Sequence, residues 1–449
     1  MILTNDLTGL RIMVNKSPKS DAEVFDLREG RPMSNNITNP SACKGLSRRQ
    51  FTAAAATGAL ITTTGLPLAK ARAATPLKLG VLLPRSGHLA LIGQACQRGA
   101  DIGLPMLRDM GYSIELMHAD TESNPDVGRT QAEKLIREGA QMLMGCFDSA
   151  TTLAVAGVAE QKGIPFVINI GSEPKITEQG FKYVFRNFPS AGMLGKGGLL
   201  LYKDIFAASG VTPKTAVLLH INDSFGMAML GGINALMPKL DLPFTIVETI
   251  AYDPKARDLS IEVAKAKAAK ADLVMTVTRL NDAILLVREM VKQQVETMGI
   301  ISPGAPGMYD KQFFKALGKY AEYCTTNVPW FDPKQEMAQL LSKTFEKAHP
   351  DESCDLNVGF TFEAVLIAAD AHKRAGSNDP QALTEALRAT NIEKRAMLGG
   401  PIKFEANGQN MNLISAAVQN LNGKPTVVLP AASAEAKLVF PMPPFKGRT

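Results

Sequence analysis

Residues 141–174, QMLMGCFDSATTLAVAGVAEQKGIPFVINIGSEP, constrain this chain more than any other stretch. Met142, Leu143 and Met144 form an apolar run stopped by Gly145, which predicts a buried strand and then a polar loop. Ser149 stands where a helix N-cap would stand, ahead of an Ala/Val/Leu-rich helix over 150–162. Gly163 and Pro165 close that helix, and residues 166–170 predict a second buried strand. Gly171, Ser172, Glu173 and Pro174 then open another helix, with Pro174 near a first helical position. A right-handed βαβ crossover would set both loops side by side at the carboxyl ends of parallel strands. Ligands of open α/β sheets bind at that edge. Free amides at the helix starts, with the hydroxyls of Ser149 and Ser172, suit a small carboxylate. The same two serines could equally do no more than cap their helices.

The pattern recurs along the chain. Before it come a strand over 77–84, a glycine-punctuated loop over 85–93, a helix over 94–109, a strand over 111–118 and a helix over 126–138. A short strand at 183–187 leaves toward a hinge at 189–192. A second series of strands and helices runs from residue 193 to 302. Its strand-end loops carry Asp223 with Phe225, then Arg279 with Asp282 in a loop over 278–282, then the Gly304 loop over 303–307. A strand over 323–328 is expected to cross back to the first series. Helices over 334–348, 360–375 and 380–390 follow, and Asn422 with Gly423 marks a closing β-hairpin over 413–429. The expected fold class is therefore α/β, two doubly wound parallel-sheet lobes facing a cleft and joined by a multi-strand hinge.

The formal charge of +6 misleads, because residues 1–73 hold ten Lys/Arg and five Asp/Glu, leaving 39 basic against 38 acidic residues in the body. A near-neutral body without a basic stripe argues against nucleic acid. Ser47, Arg48, Arg49, Gln50 and Phe51 precede a mild apolar segment over 52–68 and an Ala-Arg-Ala ending at Ala73. That pattern predicts a leader over 1–73 with a twin-arginine export signal. An uncleaved membrane anchor is the competing reading, weakened by the segment's threonines and glycines. Translation could also begin at Met13 or Met33. Beyond the leader, Cys96, Cys146, Cys324 and Cys354 show no metal-binding spacing and allow either three disulfide pairings or free thiols.

No dinucleotide or phosphate-loop fingerprint and no nucleophile elbow is present, so neither a cofactor nor a catalytic residue is expected. The five histidines lack metal spacing, so no metal site is expected either. His88 and His220 fall near cleft-side strand ends, where they could touch a ligand or simply pack. Asp148, Asp223 and Asp282 could bind a cation or amine together, or cap and turn individually. Arg279 in a cleft needs an anion, supplied either by a ligand or by an interlobe bridge to Asp148 or a neighbouring acid. Phe147 and Phe225 either wall a ligand or fill core.

Leader, loops and second series together resemble a type I periplasmic solute-binding protein of an ABC importer, of the leucine/isoleucine/valine-binding family. The resemblance spans residues 76–428. It rests on the run from Gly80 to Gly87, Gly145 with Phe147 and Ser149, Gly163 with Pro165, and Ser172 with Pro174. His220 with Phe225 and Gly226, and the run from Phe360 to Gly376, complete it. It implies lobes at 75–190 plus 328–399 and 191–327 plus 400–440 that close on one ligand. Positions matching ligand contacts are Phe147, Ser149, Ile170 and Ser172, then Phe225, Arg279 and Gly304 in its loop. In that family the Ser149 and Ser172 positions hold the ligand carboxylate, and the Ile170 carbonyl helps hold its amine. The family's acid for the ligand ammonium falls near Gly304, where this chain has none, so Asp223 or Asp282 substitutes or the ligand is not an ordinary α-amino acid. Ile92 replaces an aromatic, Arg279 replaces a tyrosine, and Ser123 and Asp148 occupy the positions of a first-lobe disulfide. The resemblance implies a periplasmic monomer that delivers an amino acid or small carboxylate to an inner-membrane permease. A sensor module on the same fold, or an exported hydrolase using Ser149 or Ser172 with His88 or His220, are the alternatives.

Overall fold

The computed structural model describes residues 75–448; the predicted leader and export signal lie outside the described residues. The first sheet is built from β1 (Leu77–Leu83), α1 (Ala90–Asp109), β2 (Ile114–Asp120), α2 (Pro125–Arg137), β3 (Met142–Gly145), α3 (Ser149–Lys162), β4 (Phe166–Ile168), α4 (Lys175–Glu178) and β5 (Val184–Arg186). Its five strands are parallel in the order β2-β1-β3-β4-β5. The near-continuous apolar runs of β1, β3 and β4 are buried, as strands covered on both faces must be. The chain turns back between β1 and β3, so the loops leaving those two strands diverge and leave a crevice.

The second series runs α5 (Ala191–Ser209), β6 (Thr215–Ile221), α6 (Ser224–Leu240), β7 (Thr245–Tyr252), α7 (Ser260–Ala268), β8 (Leu273–Val277), α8 (Leu280–Lys292), β9 (Gly299–Ser302), α9 (Lys311–Leu317) and β10 (Thr325–Pro329). Helices α10 (Glu336–Ala348), α11 (Leu356–Ala375) and α12 (Pro380–Arg388) follow, then β11 (Ser415–Leu421) and β12 (Lys424–Leu429). The second sheet has seven strands in the order β12-β11-β10-β9-β8-β6-β7, with β11 and β12 antiparallel to their neighbours. Its turn-back lies between β6 and β8. The predicted hairpin forms at Asn422 (φ 55°) and Gly423 (φ 75°), two left-handed residues whose twist suits a two-residue turn.

Three expectations change. The strand expected to cross back is β10, which pairs with β9 and β11 and stays wholly in the second sheet, so the crossing comes after Pro329 and not at 328. Residues after 400 do not pass directly into the second sheet: Gln409 bridges Arg186 at the edge of the first. Cys96, Cys146, Cys324 and Cys354 are all free, which closes the disulfide alternatives left open by the spacing.

The crossing segments converge on one buried carboxylate. Glu363, in the all-round buried helix α11, accepts from Arg395 Nε (3.1 Å) and Nη2 (2.7 Å). It also accepts from the backbone amides of Ala396 and Met397 (3.0 Å each) and from Asn187 Nδ2 (2.9 Å). The amide of Leu398 donates to the Trp330 carbonyl, and that of Asp332 to the Ala396 carbonyl, which ties in the remaining crossing. Removing one member of a fully buried ion pair strands the other. Glu363→Ala should therefore lose about 3–5 kcal/mol of unfolding free energy. Urea denaturation checks this, and a loss under about 1 kcal/mol, the scale of an exposed pair, would contradict it.

Candidate functional site

The first wall begins where β3 ends. Gly145 (φ 117°) lies against the Leu82 carbonyl, where a Cβ would stand 2.2 Å from the oxygen, so the chain turns there as only glycine permits. Phe147 enters the crevice, and Asp148, not Ser149 as expected, caps α3 by accepting the Thr151 amide at 2.8 Å. That substitution frees Ser149. At the first helical position its hydroxyl accepts from the Glu173 amide at 3.3 Å, linking the two loops. The first-turn amides of Ser149 and Ala150 have no intrahelical acceptor.

Ser172 does not cap a helix either. The short helix α4 starts only at Lys175, behind Pro174. All three carbonyls of the turn are engaged: Gly171 and Glu173 accept from Arg186, and Ser172 from the Ala191 amide at 2.7 Å. The buried Ser172 hydroxyl makes no hydrogen bond to another described residue and lines the cavity.

The second wall comes from the turn-back of the larger sheet. Asp223 caps α6, its Oδ1 accepting the Gly226 amide at 2.9 Å, which brings Phe225 to the crevice. Arg279 occupies the N-cap of α8. Asp282 lies in the first turn of that helix, not in a loop as expected. It accepts the Arg279 amide at 3.0 Å and the Tyr252 hydroxyl at 2.5 Å. Burial raises the Asp282 carboxyl despite those donors. The Arg279 guanidinium lies 5.1 Å from the centroid of the Phe225 ring, and its Nη1 donates to Asp223 Oδ2. The expected bridge to Asp148 is absent; the arginine pairs within its own wall. A guanidinium carries five donors, and here one is used.

These walls enclose a cavity of about 400 Å³, counting its mouth, and seven of the eight expected site residues line it. They are Phe147, Ser149, Ile170, Ser172, Phe225, Arg279 and Gly304; Asp223 stands behind Arg279 instead. The three-acid cation site is not formed, because Asp148, Asp223 and Asp282 each serve as helix-start acceptors. Gly307 (φ 115°) lets its loop lie on Arg279, where a Cβ would come within 2.5 Å of the Arg279 carbonyl carbon. Phe188, Leu194, Pro306, Val328 and Leu356 complete the lining, and no acidic side chain is among it. Pro306 belongs to the expected 303–307 loop, and sequence reading missed the other four. Phe188, Leu194 and Val328 lie at or near the crossings and Leu356 opens α11, so no local motif marks them.

Neither His88 nor His220 hydrogen-bonds Ser149 or Ser172. His220 Nδ1 lies 3.1 Å from the Ile221 carbonyl oxygen, and the His88 carbonyl accepts from Asn281 at 3.4 Å across the crevice. Burial, then the Arg279 charge, lowers the His88 pKa. Among the described residues no cluster of three or more His, Cys, Asp or Glu could hold a metal ion.

The chain matches the family described as periplasmic binding protein over residues 76–424. It belongs to that family. Among curated relatives, Leu/Ile/Val-binding protein homolog 8 of Brucella melitensis is 25% identical, with 81% of this chain and 93% of that protein covered. Leu/Ile/Val-binding protein homolog 1 of Brucella suis is 25% identical over 74% of this chain and 86% of its own length. Among solved structures, a solute-binding protein from R. palustris in complex with benzoate is similar at TM-score 0.68. It is 23% identical, covering 81% of this chain and 98% of that one. The branched-chain amino acid transporter substrate-binding protein of Streptococcus pneumoniae, in complex with isoleucine, also gives 0.68. It is 18% identical and covers 82% and 100%. These likenesses agree with the two-sheet α/β fold read from the sequence.

Two further carboxyls lie close to the lining. Asp355 precedes Leu356 and caps α11 through the Asn357 and Val358 amides; Asp310 caps α9. Burial, then the Asp310 charge, pushes Asp355 up to about 7. A folded-state pKa above the ordinary carboxylate value means the native state holds the extra proton. The contribution is present below about pH 4 and is lost as pH rises through about 7. Asp355→Asn keeps a capping side chain and removes the titration. It should be more stable than wild type at pH 8 and flatten the stability profile between pH 5 and 8. Denaturation at several pH values checks this, and an unchanged slope would refute it.

Proposed function

We propose that this chain is the substrate-binding component of an ABC importer. It captures a branched-chain-type amino acid or related small carboxylate by closing two lobes on it and hands it to an inner-membrane permease. One observation carries the reading: Ser149, Ser172 and the unused Arg279 donors meet in a single apolar-walled cavity between the two sheets. The first lobe, 75–190 plus most of 328–399, supplies the hydroxyls and the α3 amides. The second, 191–327 with the closing hairpin, brings Phe225, Arg279 and Gly304. Closure expels water, which strengthens each polar contact to the carboxylate. The named ligands of relatives, leucine-type amino acids and benzoate, are both small carboxylates with an apolar body.

The cavity lining favours the second kind. An α-ammonium buried without a carboxylate partner costs several kcal/mol, and the lining offers none. We take the preferred ligand to be an apolar monocarboxylate lacking a free amine. Export to the periplasm as a monomer, through the twin-arginine signal before residue 74, completes the proposal. A regulatory sensor or a hydrolase has no observation in its favour.

The test is thermal melting and calorimetry of the purified chain with benzoate, isoleucine and leucine. A ligand at one hundred times its Kd stabilises by about 2.7 kcal/mol. Benzoate should shift the midpoint more than either amino acid. Arg279→Ala should abolish the shift while moving the unliganded midpoint only slightly. Equal loss of both would make Arg279 a strut between Asp223 and Phe225.

A further inference from the structure

Arg186 ends β5, and its side chain is buried with no salt bridge to a carboxylate, although the charges of Glu178 and Glu173 act on it from nearby. Its Nη1 donates to the carbonyls of Gly171 (3.3 Å) and Glu173 (2.8 Å), which flank Ser172. Its Nη2 donates to Thr177 Oγ1 (2.9 Å), and its Nε to Gln409 Oε1 (2.6 Å). Gln409 in turn donates to the carbonyl of Phe188, a cavity residue. One planar fork thus holds the Ser172 turn from both sides and, through Gln409, the start of the first crossing.

A neutral donor could make some of these bonds, so the choice of a charge needs its own reason. Burying a guanidinium without a direct carboxylate partner is costly, and the nearby Glu178 and Glu173 charges offset that cost only in part. Burial lowers the pKa of Arg186 to about 10, which still leaves it charged at neutral pH. A cation with only neutral acceptors in contact, set behind the turn that carries Ser172, projects positive potential into the crevice where a carboxylate would rest.

We propose that Arg186 is the positioning residue of the carboxylate cup: it fixes the turn so that the Ser172 hydroxyl faces the cavity, and its unpaired charge makes the cup select an anion over a neutral isostere. The proposal rests on the reading that this cavity takes a carboxylate, and the experiment separates the two. Calorimetry with benzoate and benzamide, and with isoleucine and isoleucinamide, is run on wild type, Arg186→Lys and Arg186→Gln, each with its melting midpoint. Wild type should prefer the acid of at least one pair. Arg186→Lys retains the charge but cannot span four acceptors, so it should bind that acid about tenfold more weakly with most of the preference kept. Arg186→Gln should lose the acid-over-amide preference as well, by about tenfold or more. A fold-stabilising arginine without this role would weaken acid and amide equally, and that result overturns the proposal. Wild-type preference in a folded Arg186→Gln overturns it too. If Arg186→Gln does not fold, Arg186→Lys decides alone: acid affinity within twofold of wild type overturns the proposal. A wild type that binds none of the four overturns the carboxylate reading itself, and the role of Arg186 with it.

Discussion

A single carboxylate, Glu363, makes the two sheets one machine. A buried charge is tolerated only when its lone pairs are filled, and five donors fill those of Glu363. The donors belong to separate passages of the chain: Asn187 as it leaves the first sheet, and Arg395 to Met397 as it prepares to leave again. Arg395 extends the bond set to the carbonyls of Gly400 and Asn412, and Asn410 reaches back to Asn187. An apolar core there would hold the segments together but would not fix their register. The directional bonds of a saturated ion pair do, so closing motions must turn about these segments without sliding them.

Electrostatics inside the cleft follow the same economy of partners. Each aspartate that could have formed an acidic patch accepts at a helix start, Asp148 on α3, Asp223 on α6 and Asp282 on α8, although Asp148 keeps one buried oxygen without a partner among the described residues. The arginines lack full carboxylate pairing. Arg279 spends one donor on Asp223, and Arg186 meets only neutral acceptors. With the first-turn amides of α3 added, these are the donors on which the proposed carboxylate site rests, in a body that is nearly neutral.

Much of this was legible in the residues, for local reasons. Apolar runs and turn chemistry marked the strands of both sheets, and strand-end loops of parallel sheets are where sites form. Strand-end position marked most of the seven lining residues, and the family resemblance added Ile170 and Gly304. The misreadings have physical causes as well. Asp148 and Ser149 are adjacent and both are good caps, and the carboxylate took the amide, releasing the hydroxyl for the cavity. Asp223 stands at a strand end as a stand-in for the missing ammonium partner, yet a guanidinium 56 residues on claims its free oxygen. Phe188, Val328 and Leu356 reach the cavity from the crossings and from the start of α11, a placement that depends on long-range geometry and leaves no periodic trace. Arg186 and Glu363 were invisible for the opposite reason. Each sits in an ordinary strand or helix pattern, and only the fold reveals what surrounds it.

The four thiols of the folded body have a consequence for its reactivity. Cys96 and Cys324 are buried, with their pKa values pushed up to about 12 by burial, and burial raises Cys146 and Cys354 as well. Thiols so far from ionising are poor nucleophiles toward oxidants or disulfide catalysts. No cross-link among the described residues waits to be made. The folded body thus needs no cross-link among its described residues to hold its shape, and burial keeps its thiols in the unreactive protonated form.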